Sequence, residues 1–148
     1  MSELLVTSET TKRWTPTLMS AGFTIIPNVF LEHQNSLQID ALDLNILAQL
    51  SSYWWSRDNL PHPSKKTIAL RIGVDVSTVR RRISAMEKKG LIRRKARFSS
   101  ERRRQANGYD FTQLIQQATP FALRMIHRRT RKNDGGALQA DGDDSLLK

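Results

Sequence analysis

The 148-residue chain contains no cysteine. That removes disulfides, thiol redox chemistry, Cys-ligated zinc and Cys nucleophiles together. Long apolar runs are missing too. The longest is a few residues, against the ~20 needed to span a bilayer, so no membrane association is expected. Met1 to Ser20 mixes Glu, Thr and Lys around no apolar centre and does not read as a secretion signal; the expected location is the cytoplasm. Acidic residues are few, with 14 Asp and Glu against 24 Lys and Arg. Nothing suggests paired carboxylates for acid–base work or a two-metal site. His33, His62 and His127 lie far apart without metal-ligand spacing. Gly73 stands alone in Arg71-Ile72-Gly73-Val74, which is no phosphate-cradling loop. Ser, His and Asp occur, but nothing orders them into a triad. The expectation is therefore a non-enzyme with no catalytic residues, no metal and no cofactor.

What the chain has in excess is positive charge, a formal +10 with a sequence pI of about 10.7. Such a balance suits a polyanionic partner, with nucleic acid ahead of an acidic membrane surface or an acidic protein. The excess is concentrated. Between Arg57 and Arg104 sixteen Lys or Arg face four Asp or Glu, a net +12 that exceeds the value for the whole chain. The apolar fraction of 39% fits one core with tails attached.

Residues 1–21 read as a partly disordered N-terminal arm carrying one large apolar residue, Trp14, a docking knob for its own domain or a partner. Residues 22–118 read as a single folded unit. Within it, Gly22 to Asn28 is a short extended segment stopped by Pro27. From Ile39 or Asp40 to about Ser56 the period is helical, with Ser36 or Asp40 as cap. This helix has two apolar stripes, one through Leu42, Ile46, Leu50 and Tyr53 and one through Leu44, Leu47, Ala48 and Trp55. It is either the central helix or one shared between the core and a dimer interface. Trp54 and Trp55 at its end suit core or interface packing more than base stacking.

Arg57 to Pro63 is a proline-shaped loop. Ser64 caps a short helix to Ile72, Gly73 ends it, and Asp75 or Ser77 starts another helix to Lys89 with Val79, Ile83 and Met86 inward. After Gly90 the period becomes two. Leu91 to Phe98 is a strand with Ile92, Ala96 and Phe98 on one face and Arg93, Lys95 and Arg97 on the other. A basic turn leads to a return strand, Asn107 to Phe111, anchored by Tyr109 and Phe111. Gln113 to Gln117 is a short helix with Leu114 and Ile115 inward. Thr119 and Pro120 then open a separate basic helix, 119–132, with Phe121 and Met125 inward. Residues 133–148, with two adjacent glycines and Asp141, Asp143 and Asp144, read as a disordered acidic tail.

The stretch Ser64 to Leu91 carries the chemistry. Ala69 lets two helices cross closely, Gly73 turns the chain between them, and Val74 and Val79 fill the space beneath. The N-terminus of the second helix presents backbone N–H groups that suit a phosphate. Its outer face offers Ser77, Thr78, Arg80, Arg81, Ser84 and Lys88, with Arg82 beside them. A helix fits the major groove, and an Arg there can bond two acceptors on one guanine edge.

From Gly22 to Leu114, about two thirds of the chain, the sequence resembles the winged-helix domains of plasmid and phage replication initiators and related helix-turn-helix regulators. The shared features are Phe23-Thr24-Ile25-Ile26-Pro27-Asn28, Pro63-Ser64, Ala69, Gly73-Val74, Ser77-Thr78-Val79-Arg80-Arg81, Gly90-Leu91-Ile92 and Asn107-Gly108-Tyr109-Asp110. The resemblance implies a mainly α fold with a small β-wing, a winged helix-turn-helix in which Ser64 to Ile72 supports, Ser77 to Lys89 recognises and Leu91 to Phe111 is the wing. Double-stranded DNA is the implied partner, contacted by the recognition helix and by Ser64, Lys65, Lys66, Arg94, Lys95, Arg97, Arg102, Arg103 and Arg104. The expected role is transcriptional regulation as a homodimer. The alternatives are origin binding in replication, with recruitment of machinery proteins, and a protein- or RNA-interaction module. Arg82 departs from the pattern, standing where a small or apolar residue is expected. Either the recognition helix is rotated or Arg82 serves a phosphate.

Overall fold

A computed structural model describes residues 2–137. Its elements are α1 (Ser2–Trp14), α2 (Pro16–Ser20), α3 (Asn28–Glu32), α4 (Ala41–Ser51), α5 (Lys65–Ile72), α6 (Val76–Lys88), β1 (Arg93–Phe98), β2 (Arg104–Asp110) and α7 (Thr112–Ala137). The architecture is mainly helical with one two-stranded antiparallel sheet after the α5–α6 pair.

The core is assembled where α4, α5 and α6 meet. Ile46, Leu47 and Leu50 of α4 pack with Ile68 and Ala69 of α5 and Val79, Ile83 and Met86 of α6, all buried. Leu91 and Ile92 continue this layer into the wing, and Tyr109, Phe111 and Leu114 close it on the return. Local chemistry sets the helix ends. Asp40 and Asp43 form a reciprocal capping box at the start of α4. Ser64 Oγ accepts the Thr67 N–H at 3.0 Å to start α5. Gly73 closes α5 in the left-handed region at φ 73°, where a side chain would be strained. Asp75 precedes α6 without a side-chain capping bond.

Several expectations are corrected. The N-terminal arm is helical: Thr15 caps α2, Pro16 occupies its first turn, and a Glu9–Lys12 pair at 2.7 Å supports α1. The two helices expected on either side of Thr119-Pro120 are one. Ala118 is buried on the core side, and the Phe121 ring meets His33 at 4.9 Å beside α3. Packing on both sides of Pro120 therefore carries the helix across a residue that cannot donate its backbone bond. The same helix runs on to Ala137, so residues 133–137 are not a tail; residues 138–148 lie outside the described part. In β1 the strict alternation fails because the register shifts between Lys95 and Arg97. The extra residue lies on β2, where Ala106 and Asn107 together face Ala96, and beyond this point Arg97 is half-buried and Phe98 is exposed. Two apolar expectations fail by exposure. Trp55 and Ile115 are exposed, whereas Trp54 packs against Phe111 at 5.1 Å and Leu114 is buried.

Candidate nucleic-acid interface

The inward stripe of α6 lies as its spacing requires, so the helix is not rotated. Ser77, Arg80, Arg81 and Lys88 are exposed on the opposite side, with Thr78 and Ser84 half-buried at its margin. Arg81 Nη2 lies 3.4 Å from Thr78 Oγ1, a weak tether that keeps the guanidinium beside the first turn of α6. Among the described residues no hydrogen bond or ion pair engages the side chains of Arg80, Lys88, Lys66 or Arg102.

Arg82 is tied within the fold. Its guanidinium donates to Asp40 and lies 3.7 Å from Asp43 Oδ1, pinning α6 to the capping box of α4. It does not replace a core residue, since its side chain stays part-exposed beside that pair. The capping bond from the Asp43 N–H and Arg82 together hold the Asp40 carboxyl below its usual range, while burial raises that of Asp43. Ser64 also departs from its expected role, because its hydroxyl is committed to the α5 cap and to Thr67 Oγ1 at 2.9 Å.

The wing is a braced hairpin. Arg94 Nε pairs with Glu87 Oε2 at 2.5 Å, tying β1 to the end of α6. Lys95 Nζ lies 3.0 Å from Asp110 Oδ2 across the ladder. The Tyr109 N–H donates to the Pro61 carbonyl at 2.9 Å, fastening β2 to the loop before α5. At the tip the Arg102 N–H bonds the Ser99 carbonyl and the Ser99 N–H bonds the Arg103 carbonyl, both at 2.9 Å. Arg103 also faces Glu101 at 3.3 Å, and Arg104 Nη2 donates to Asn107 at 3.4 Å. The Arg97 side chain lies over Gly108, close enough that a Cβ there would sit 3.4 Å from it.

These separated segments converge at Lys65. Burial pushes its ammonium below the ordinary lysine range, and Arg94, Arg80 and Arg104 lower it further. Glu87, the partner of Arg94, opposes them, so the first residue of α5, the outer face of α6 and both strands of the wing meet in a cluster that is cationic on balance. Four of the expected contacts thus share a surface although they are up to 39 positions apart in sequence. Arg93, exposed on β1 without an ion-pair partner among the described residues, joins the wing's cations and was not among the expected contacts. Its place in the wing's run of positive charge was the available signal.

A helix pair closed by a left-handed glycine, an outward cationic helix face and a braced basic hairpin stand together here. This part of the chain is a winged helix-turn-helix. A family model described as a helix-turn-helix domain matches residues 37–92, from Leu37 to the residue before the wing. The winged helix is similar to the N-terminal domain of DnaD protein from Geobacillus kaustophilus HTA426, at 16% identity and a TM-score of 0.55 over 78% of this chain and 93% of that one. A possible transcriptional regulator from Methanosarcina mazei Go1 is similar at 17% identity over 74% of this chain and 85% of its own, with a TM-score of 0.40. No curated protein matches the chain. Among the described residues no group of His, Asp and Glu could hold a metal ion, and no helix is long and apolar enough to cross a membrane.

Proposed function

We propose that the chain is a non-enzymatic, sequence-specific binder of double-stranded DNA that regulates transcription, with residues 22–118 as its DNA-binding unit. The recognition helix α6 enters the major groove and reads bases through Arg81, Thr78 and Ser77. Lys65, Lys66, Arg80, Arg102 and Arg104 contact the flanking phosphates, and the wing lies along the backbone or minor groove. The observation that carries this reading is the convergence of Lys65, Arg80, Arg94 and Arg104 beside an outward recognition helix. Phosphate contacts supply most of the affinity, and base-edge contacts supply the choice of site. Action in the cytoplasm as a homodimer on a two-fold site completes the proposal.

The test is selection of bound DNA from a random duplex library near physiological salt, followed by Arg81→Ala on the enriched site. One motif should emerge, as an inverted repeat spaced by about one helical turn. The substitution should cost about 1–3 kcal/mol and relax preference at one base pair. An unchanged affinity would remove α6 from the groove and favour a protein- or RNA-binding module. A second reading, an origin-binding replication initiator that recruits machinery proteins, is favoured by the segment Phe23-Thr24-Ile25-Ile26-Pro27-Asn28. It makes the same demands of α6 and differs in the genomic position of the enriched site.

A further inference from the structure

The chain also has a face that the DNA reading leaves unused. The segment 22–27 and the end of α4 enclose an open groove of about 860 Å³, lined by Phe23, Ile25, Phe30, Leu47, Trp54 and Trp55 among others. A smaller cleft of about 310 Å³ adjoins it, sharing Gly22 to Ile25 and walled by Trp14 and Leu18. Five large apolar side chains on this face, Trp14, Leu18, Phe23, Ile25 and Trp55, are between 54% and 84% exposed.

We infer that this face is the surface through which two copies of the chain associate about a two-fold axis. Three observations select a second copy as the occupant. The first is area. With aromatic side chains of about 150–250 Å² each, the five leave roughly 600–700 Å² of apolar surface uncovered. That exceeds or matches the largest patch of a typical monomer, about 300–600 Å², and approaches the ~800 Å² each partner buries in a standard interface.

The second observation is shape. A two-fold contact requires a knob and a matching hollow on the same patch. Among the described residues Trp55 is the most exposed large apolar one, at 84%, and it lines the groove. Each copy therefore offers a Trp55 knob and a groove to receive the other's.

The third is charge. Two chains of +10 repel one another over most orientations. Among the described residues Arg71 is the only charged one lining either hollow, and its guanidinium lies over the Tyr53 ring at 4.8 Å. This face is therefore one on which like copies can meet without opposing their basic fields. The cationic cluster around Lys65 lies outside both hollows and stays available.

The test is sedimentation of the full chain without DNA, for the unaltered protein and for W55D, I25D and L70D. Trp55 and Ile25 are surface residues of the groove. Leu70 is as exposed, at 83%, but lines neither hollow. The unaltered chain should form dimers at micromolar concentration. W55D and I25D should each raise the dimer dissociation constant at least tenfold with unchanged thermal unfolding of the monomer, and L70D should leave it unchanged. A chain monomeric at 100-fold higher concentration, or a dimer that survives both groove substitutions, would overturn the inference. Binding to a single half-site, measured in parallel, reports on the DNA reading separately, because one half-site needs only one copy.

Discussion

Arg102 occupies a left-handed backbone conformation, φ 58°, at the tip of the wing. Hairpins of this kind place glycine there, since a side chain in that region costs about 1–2 kcal/mol. Replacing it by glycine should therefore raise stability by about 0.5–1.5 kcal/mol in chemical denaturation. It should simultaneously weaken DNA binding, so that stability and affinity move in opposite directions. Asp110 makes an opposite kind of contribution. Its carboxylate accepts the Thr112 hydroxyl at 2.6 Å and the Thr112 N–H at 2.9 Å, and it faces Lys95. The Thr112 bonds, with Lys95 behind them, draw its pKa from 3.8 to about 2. A depressed carboxyl pKa stabilises the fold above the unfolded value and loses that contribution as the group is protonated. The wing should accordingly lose about 1–2 kcal/mol as pH falls from about 4 to about 2. Asp110→Asn should lower stability at neutral pH and flatten that acid limb, as pH-dependent melting would show.

At the scale of elements, α7 is the one that defied local reading. A proline after a threonine opens helices far more often than it sits inside them, and only the burial of Ala118 and the contact of Phe121 with His33 reveal the continuous helix. Pro120→Ala restores the missing N–H and removes the ring clash. It should raise helicity and stabilise the chain by about 1–3 kcal/mol, measured by circular dichroism and thermal unfolding. The α5–turn–α6 unit, by contrast, was legible almost residue by residue. Its signals are all local: a Ser cap, a small residue at the crossing, a glycine turn and an i, i+4, i+7 stripe. The wing was legible as a hairpin but not in register, because the β2 bulge opposite Ala96 leaves no mark on the sequence pattern. The ion pair of Arg82 was not legible for a related reason. Its partner Asp40 lies 42 positions earlier, and no spacing rule reaches that far. The positive field around Lys65 could be counted in the sequence but not located until the hairpin folded back beside α5.

Among the described residues the Lys65 cluster and the two apolar hollows occupy different places. The cluster joins α5, α6 and the wing, while Trp14, Phe23 and Trp55 are exposed around the 22–27 segment and the end of α4, with Phe98 an exposed aromatic on the wing itself. The proposed self-association and the proposed DNA contact would therefore use different atoms.

The crowding of Lys65 by three guanidinium groups has one more consequence. A cluster of cations attracts small anions from the solvent when DNA is absent, so the proposed duplex binding would be an exchange rather than a simple capture. Displaced chloride then contributes to the salt dependence alongside the cations released from the DNA. Replacing potassium chloride by potassium glutamate at equal ionic strength should therefore tighten binding. Lys65→Gln, which thins the cluster, should shrink the difference between the two salts in a titration. The identity of the surrounding anion would then act as a setting on how firmly the proposed complex holds.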